Sequence, residues 1–411
     1  MKKYISLAIA AVTMVGCSNE ILIDDAKNEV KEVGIGFSTF TDLATKAENS
    51  GATAKNGLET YHSDFKVWGS KYVGGTETPV FTAQVVTNKA TNSDWEYTPI
   101  RFWDKSATEY DFYAAAPANL SWSWDNTTKK LSLTDFAVDG LNIAKPKTGN
   151  DNPNPEIDNA AKFNDKDIMI SNDVNNHTAY TNDAVNLTFN HILSRLNIGV
   201  KKGTNLDGFV VKLNSIKVYN MKSNGTFTEG ANLGTDVLAS GTVKRWSGST
   251  STFTDGVGYE TVTEVTSDLN YVYQGLVIPQ TVAVETVALD GKAHDAVGTV
   301  GETGYVPAIN AVSATSAPYL VISYEIWTKE VAETAETPAV PSAKVDGYVY
   351  NYNLANIFNG TSNDDAIAFN EGWQNTLKIT INPVAILFDA DVYEWDTNKN
   401  VEVEIPDSNG L

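Results

Sequence analysis

Cysteine is nearly absent from this sequence, because Cys17 is the only one among 411 residues. A single cysteine cannot form an internal disulfide, and it excludes metal sites built from two or more thiolates. The four histidines are far apart in the sequence and lack the spacing of a metal-binding motif. The stability of the fold must therefore come from the packing of its secondary structure.

Motifs of the common enzyme classes are also missing. The sequence has no Gly-x-Ser-x-Gly nucleophile elbow, no phosphate-binding loop and no cysteine placed as a nucleophile. His191 lies inside a strand pattern, where a packed or hydrogen-bonded histidine is more common than a catalytic one. We therefore expect a protein that is not an enzyme and that has no catalytic residue, cofactor or metal site.

Positive charge is scarce as well. The chain has 30 Lys and Arg residues against 51 Asp and Glu residues, which gives a formal net charge of −21. A protein this acidic repels nucleic acid and an anionic membrane surface, so neither is expected as a partner. The charge favours a soluble surface outside the cell.

Leu-rich helical stretches are rare, whereas Thr, Asn, Val and Tyr are abundant and Gly occurs 29 times. This balance favours strands and turns, and the apolar content of 42% is enough to form a packed core. The length suits two or three domains. Short strands separated by loops predict an all-β fold with two tandem antiparallel β-sandwich domains.

Two stretches show the strand pattern most informatively. Gly74 and Gly75 separate two alternating runs and predict a hairpin. In residues 185–200, the alternation loses its phase between Phe189 and Leu196. We expect a bulge or short turn at residues 191–194. A domain boundary is expected shortly afterwards, at residues 201–208.

The N-terminal 17 residues have the pattern of a targeting segment. Lys2 and Lys3 precede an apolar stretch over residues 5–15, which is too short to remain as a membrane-spanning helix. The stretch ends at Cys17 in a pattern that resembles a lipoprotein signal, so Cys17 is the expected lipidation site. An ordinary secretory signal with a chance cysteine is the alternative. Residues 18–32 are polar and acidic and are expected to form a tether.

Residues 33–40 have the pattern of a half-buried first strand. Val33, Ile35 and Phe37 alternate with small residues, which is the period of a strand with one buried face. A loop of small polar residues that contains Lys46 follows at once, and a protease could cut it. We therefore predict a removable strand, although the pattern also fits the ordinary first strand of a β domain.

The C-terminus contains a candidate replacement for this strand. Val401, Val403 and Ile405 alternate with two glutamates and match the three-residue apolar face of the first strand. Such a strand could add to a neighbouring subunit by β-augmentation. The alternative is an ordinary edge strand of the second domain, in which case the protein accepts a strand but does not donate one.

Several stretches together resemble the fimbrillin family (type V pilins), whose members are lipoprotein precursors. The residues that carry the resemblance are 99–103, 110–113, Pro117, 167–169, 189–191, 194–196, Gly372, Trp373 and Trp395. The resemblance implies two transthyretin-like β-sandwich domains with Greek-key topology and export to the cell outer membrane as a lipoprotein. It also implies cleavage by a trypsin-like protease after the first strand, followed by head-to-tail assembly into a surface fimbria by strand donation, with a role in adhesion.

On this resemblance, the processed bond lies between Lys46 and Ala47, with Lys55 as a weaker alternative site. The implied partners are other fimbrial subunits, the processing protease, and the outer membrane through the lipid anchor of the precursor. The corresponding domain plan comprises a signal peptide (1–17), a tether with the removable strand (18–46), and two β-sandwich domains (47–200 and 201–411).

A glycan-binding surface lipoprotein built of β-sandwich modules is the alternative function. The chain has nine tryptophans. Trp122 and Trp124 are spaced to lie on one face of a strand, where two indoles could stack on a sugar. Packing in a core or an interface is the competing interpretation of the same spacing.

Overall fold

The structure is a computed structural model, and it describes part of the chain. The described residues are 32–41, 58, 62–89, 95–141, 167–178, 184–230, 245–282, 317–332, 339–359, 367–382, 386–394 and 403–404. The predictions for Cys17, Lys46, Ala47, Lys55, Trp395, Val401 and Ile405 lie outside the described residues.

Strands account for nearly all of the regular structure. In the first half of the chain they are β1 (Phe37–Thr41), β2 (Asp64–Val73), β3 (Thr76–Asn88), β4 (Trp95–Glu96), β5 (Glu109–Ala116), β6 (Ser123–Asp125), β7 (Lys130–Ala137), β8 (Met169–Ser171), β9 (Val174–Thr178), β10 (Val185–His191) and β11 (Ser194–Lys202). In the second half they are β12 (Phe209–Tyr219), β13 (Asn224–Thr228), β14 (Trp246–Ser247), β15 (Val257–Tyr259), β16 (Thr263–Val265), β17 (Asn270–Val277), β18 (Gln280–Val282), β19 (Tyr319–Thr328), β20 (Lys344–Asn353), β21 (Ile367–Phe369), β22 (Trp373–Ile381), β23 (Ile386–Glu394) and β24 (Val403–Glu404).

Helical structure is minor. The α-helix α1 spans Leu354–Asn359, and one 3₁₀ turn spans Thr204–Leu206. Within the described ranges, no helix has the length and apolar character needed to cross a bilayer. The predicted all-β class is therefore confirmed.

The strands form four larger sheets and one small one. Sheet I has the order β1-β10-β8-β5-β2-β3-β4, with β9 also paired to β5, and sheet II has the order β14-β13-β7-β6. Sheet III has the order β17-β11-β22-β23-β24, and sheet IV has the order β15-β12-β19-β20, with β16 also paired to β12. Strands β18 and β21 form a separate pair.

Two strand pairs depart from the antiparallel arrangement that the sequence led us to expect. Strand β1 pairs with β10 in parallel, and β11 pairs with β22 in parallel. In both cases the partners are far apart in the sequence, so a long connection can bring the second strand back in the same direction. The other strand pairs among the described residues are antiparallel, which is the arrangement that a tight hairpin such as β2–β3 requires.

The predicted hairpin is present between β2 and β3, which pair in antiparallel register from Asp64 with Thr87 to Val73 with Thr76. Gly74 and Gly75 have φ angles of 57° and 78°. These left-handed values favour glycine, because a Cβ atom at such a position is strained.

The phase break at residues 191–194 proves to be a change of sheet. Strand β10 ends at His191 in sheet I, and β11 begins at Ser194 in sheet III. Strand β11 pairs with β17 and β22, which follow it in the chain. The expected boundary at 200/201 stays a prediction, but the chain leaves sheet I at Ile192 and Leu193.

The two halves of the sequence also share sheet II. Strand β7, from the first half, pairs with β13, from the second half, between Asn224 opposite Ala137 and Thr228 opposite Ser132. A division of the chain at one residue therefore does not separate all of the sheets.

Three main cores are buried among these sheets. One lies on one face of sheet I and is rich in aromatic residues, and a second lies between the other face of sheet I and sheet II. The third, between sheets III and IV, is mostly aliphatic and includes Leu196, Ile198, Leu320 and Ile322. The first of these cores contains the N-terminal segment.

Candidate functional site

The N-terminal segment, residues 33–41, makes two different sets of main-chain contacts. Its second half is β1, which runs parallel to β10 from Phe37 opposite Val185 to Thr41 opposite Phe189. Its first half pairs with residues 101–103 instead. Ile35 donates its N–H to the carbonyl of Arg101 at 2.8 Å, and Trp103 donates to the carbonyl of Val33 at 3.0 Å.

These contacts place the segment at both ends of sheet I. Strand β10 is the last strand before β1 on one side, and residues 101–103 follow β4, the terminal strand on the other side. The segment therefore closes the sheet rather than lying among its central strands. We call the space that it fills the groove, bounded by β10, residues 101–103 and the aromatic core between them.

One face of the segment enters that core. The exposed fractions of Val33, Ile35 and Phe37 are 8%, 1% and 6%. The ring of Phe37 contacts four aromatic rings at centroid distances of 5.5–6.1 Å, namely Phe65, Phe81, Tyr97 and Phe112. Burial of such side chains stabilises a fold by about 1.5–3 kcal/mol each.

The groove also provides polar groups for the segment. Trp95 donates its indole N–H to the hydroxyl of Thr39 at 2.9 Å, and Leu58 donates its main-chain N–H to the same oxygen at 3.3 Å. The hydroxyl of Tyr97 donates to the carbonyl of Ile35 at 2.6 Å. Burial raises the pKa of Tyr97 to about 12, so this hydroxyl remains a donor at neutral pH.

The opposite face of the segment carries small residues. Gly34, Gly36 and Ser38 are half-buried and alternate with the core residues. Ser38 donates its hydroxyl to the side-chain oxygen of Asn186 on β10. The side chains on this face therefore contribute little packing that would stabilise the segment in the groove.

The expected processing site follows the segment closely in the sequence. Thr41 is the last described residue of the segment, and Lys46 is five residues further along the chain. A cut there would separate the segment from the rest of the protein with the groove contacts still in place.

The expected donor strand at the C-terminus is described only at Val403 and Glu404. Their main chain forms β24, which pairs with Ala390 and Asp389 of β23 at the end of sheet III. A short strand at a sheet edge fits the alternative of an edge strand of its own domain. It also fits a segment that is held weakly enough to leave.

A second polar region surrounds the change of sheet, and we call it the junction: residues 192–197, Arg245, Trp246 and residues 371–376. Trp246 donates its indole N–H to the carbonyl of Ile192 at 2.8 Å, and Gly372 donates to the carbonyl of Leu193 at 2.8 Å. The φ angle of Gly372 is 66°, and a Cβ there would lie 3.2 Å from the carbonyl oxygen of His191. Both features favour glycine at this position.

An ion pair strengthens the junction. The guanidinium of Arg245 contacts the carboxylate of Glu371, and both side chains are more than 90% buried. Burial raises the pKa of Glu371 although Arg245 opposes the shift. Asn375 donates to the hydroxyl of Ser194 at 2.9 Å, which adds a hydrogen bond between β11 and β22.

Comparison with known families identifies the chain. A family profile described as fimbrillin-like matches residues 45–303, more than half of the 411 residues. This chain belongs to the fimbrillin-like family. No relative was found among curated proteins.

Solved structures with similarity to this fimbrillin-like chain include a fimbrial protein from Bacteroides vulgatus, with 15% identity, a TM-score of 0.46, and coverage of 88% of this chain and 99% of that one. A putative cell adhesion protein from Bacteroides uniformis has 13% identity, a TM-score of 0.40, and coverage of 89% and 98%. The tip fimbrial protein Mfa3 from Porphyromonas gingivalis, with a C-terminal truncation, has 10% identity, a TM-score of 0.37, and coverage of 81% and 94%. The assignment to the family rests on the profile match.

Some of the residues that carried the resemblance lie in the two regions just described. Residues 101–103 line the groove, whereas residues 194–196 with Gly372 and Trp373 build the junction. His191 is buried, and its Nδ1 lies 2.7 Å from the carboxylate of Asp167. In the fimbrillin-like chain this histidine is thus a packed residue at the end of β10.

The paired tryptophans do not form an open platform. Trp122 is buried with an exposed fraction of 8%, and its indole N–H donates to the carbonyl of Pro117 at 3.1 Å. Trp124 packs on Tyr113 and Trp68, at centroid distances of 4.5 and 6.2 Å. The packing interpretation of this pair is therefore the one that the structure supports.

Sequence reasoning missed several groove residues. Thr39 continues the alternation of Val33 and Phe37, so the pattern could have predicted that its side chain points into the core. Nothing in the sequence near Trp95 or Tyr97 indicates that they donate hydrogen bonds to a segment more than 50 residues away.

Proposed function

We propose that this chain is a structural subunit of a cell-surface fimbria with a role in adhesion. It is exported to the outer membrane as a lipoprotein anchored through Cys17. A trypsin-like protease then cuts between Lys46 and Ala47, and the subunit assembles by strand exchange. This proposal includes the domain plan of a signal peptide (1–17), a tether with the removable strand (18–46), and two transthyretin-like β-sandwich domains (47–200 and 201–411), with β13 and β14 of the second stretch contributing to sheet II of the first.

The observation that carries the proposal is the placement of residues 33–41. They fill a groove at the ends of sheet I, their apolar face is buried, and the segment continues in the sequence directly towards Lys46. An empty groove would expose aromatic side chains and unpaired main-chain groups, which favours refilling by another strand. Cleavage removes the covalent link, so a competing strand of similar fit can take the place of the segment.

Exchange between subunits gives a head-to-tail contact. A contact of this kind builds an open filament when successive rotations do not close a ring. Val401, Val403 and Ile405 are the candidate donor strand for the groove of a neighbouring subunit.

The decisive experiment is limited trypsin digestion of the precursor, with sequencing of the new N-terminus. We expect a product that begins at Ala47, followed by higher oligomers on size-exclusion chromatography. Lys46→Gln should prevent both, whereas Lys55→Gln should prevent neither. A product of the unaltered precursor that begins at a residue other than Ala47 would contradict the proposal. So would a product that begins at Ala47 but stays monomeric and keeps residues 33–41 bound.

A further inference from the structure

The outward face of the N-terminal segment lies beside two uncovered apolar side chains. Gly34 is directly opposite Phe102 in an antiparallel bridge. The main-chain hydrogen bonds lie on either side of this pair and are donated by Ile35 and Trp103. Gly34 and Phe102 therefore form a non-hydrogen-bonded pair, the type in which facing side chains come closest. A side chain at position 34 would stand next to Phe102.

Phe102 and its neighbour Ile100 are exposed. Their exposed fractions are 40% and 46%, which places them among the more exposed large apolar residues of the described chain. A Cβ at Gly34 would lie 3.2 Å from Cγ2 of Ile100, so the two residues are on the face towards which position 34 points. That contact is tight, but the Ile100 side chain is at the surface and can move by a few tenths of an ångström.

We propose that the strand which replaces residues 33–41 carries an apolar β-branched residue at the position of Gly34 and covers Phe102 and Ile100. The occupant is a strand of another fimbrial subunit, so this inference rests on the proposed function. The resident segment leaves the two apolar side chains exposed because it has glycine there. A strand with valine at that position buries them and gains β propensity, which gives the exchange a direction.

The groove also requires a hydrogen-bond acceptor on the incoming strand. The indole N–H of Trp95 is buried and is satisfied by the hydroxyl of Thr39. The recognised strand therefore has apolar residues at the positions of Val33, Ile35 and Phe37, and an acceptor two residues after the last of them.

The C-terminal strand of this same chain fits the outward face poorly. If Val401, Val403 and Ile405 take the three core positions, either direction of the strand places Glu402 or Glu404 at the position of Gly34. A carboxylate would then lie against Phe102 and Ile100 and lose part of its hydration. The donor for this groove is therefore a subunit with another sequence, and the neighbouring subunit whose groove accepts Val401, Val403 and Ile405 also differs from this chain.

A simpler alternative is that Phe102 covers the main chain at Gly34, as aromatic residues can do across from a glycine in a sheet. In that case a side chain at position 34 would push the ring away and weaken the pairing. The two interpretations predict opposite effects for the same substitution.

The test uses the full chain after cleavage at Lys46 and four synthetic peptides of residues 33–41. One has the native sequence, and the others carry Gly34→Val, Gly34→Glu or Thr39→Val. We expect the Gly34→Val peptide to displace the resident segment about tenfold more effectively than the native peptide, which corresponds to covering about two methylene groups. The Gly34→Glu and Thr39→Val peptides should be weaker than the native one.

A matched control removes the covered surface. The combined Phe102→Ser and Ile100→Ser protein should lose most of its preference for the Gly34→Val peptide over the native peptide, and the part that remains is due to the higher β propensity of valine. Equal or weaker displacement by the Gly34→Val peptide on the unaltered protein would overturn the inference.

A second measurement separates this inference from the proposed function. If no peptide, the native one included, enters the groove, strand exchange itself is wrong. The uncut chain still tests the outward face: Gly34→Val should raise its melting temperature and Gly34→Glu should lower it. A lower melting temperature for Gly34→Val would overturn the claim about Phe102 and Ile100.

Discussion

The groove and the junction both bury apolar surface, but they are assembled differently. The groove holds one continuous segment, residues 33–41, through main-chain pairing, buried apolar side chains and hydrogen bonds between neutral groups, such as that of Trp95 to Thr39. The junction joins three stretches that are far apart in the sequence, through a buried ion pair and several hydrogen bonds.

Under the proposed strand exchange, this difference separates the part of the molecule that exchanges from the part that stays. Residues 33–41 form one continuous segment, so a cut at Lys46 would allow it to leave as a unit. The stretches of the junction come from distant parts of the chain. A local change that breaks the ion pair between Arg245 and Glu371 while leaving one charge buried is costly. The three predictions that follow test this contrast, starting with the largest expected effect.

Removal of one partner of the buried ion pair should destabilise the whole protein. Arg245→Met leaves the carboxylate of Glu371 buried without its cation, which typically costs about 3–5 kcal/mol. The free energy of unfolding from urea denaturation measures this effect. As a control, Lys89→Met breaks the exposed pair of Lys89 with Glu96, for which about 0–1 kcal/mol is expected. If both variants lose the same free energy of unfolding, the buried pair of the junction stabilises the protein no more than an exposed pair does.

A pair of carboxyl groups near the junction should make stability depend on pH. Glu229 is buried, accepts a hydrogen bond from the N–H of Leu131 at 2.8 Å, and interacts electrostatically with the carboxyl group of Asp173. Burial raises the pKa of Glu229 to about 7 and that of Asp173 to about 6. The folded state therefore binds protons more tightly than the unfolded state, and stability should fall as the pH rises from about 4.5 to about 7.

The raised pKa of Glu229 should lower the free energy of unfolding by about 3 kcal/mol over this pH range, since each unit of pKa shift corresponds to about 1.4 kcal/mol. Glu229→Gln keeps an acceptor for Leu131 and should remove most of the fall, with a smaller part remaining from Asp173. Urea denaturation at a series of pH values measures both proteins. A wild-type curve that rises over this range would show that Glu229 is ionised in the folded protein.

The polar contact of the groove should have the smallest effect, and the effect should be local. Thr39→Val removes the acceptor of the buried Trp95 indole N–H, which costs about 1–3 kcal/mol. Thr39→Ser keeps the hydroxyl and should cost less. Hydrogen exchange should become faster in β1 and β10 of the valine variant, with sheets III and IV unchanged. Faster exchange throughout the molecule would show that the segment is an integral part of the core and not a separable unit.

Several elements could be predicted from sequence because the local pattern determines them. The alternation of Val33, Ile35 and Phe37 predicted which face is buried, and Gly74 with Gly75 predicted the β2–β3 hairpin. The break between Phe189 and Leu196 was predicted as a bulge or turn. Its consequence, that β10 and β11 join different sheets, depends on partners of β11 that lie 70 or more residues further along the chain.

The sequence by itself determined the all-β class and the inward face of the first strand, because a period of two residues sets which side chains share a face. The tertiary structure alone decided which strands lie beside that segment, that Trp95 bonds to Thr39, and that Arg245 meets Glu371. Strand periodicity contains no information about the partner, since many strands in one chain have compatible apolar faces. The choice among them depends on long-range packing and on satisfying buried polar groups, and these are properties of the whole fold.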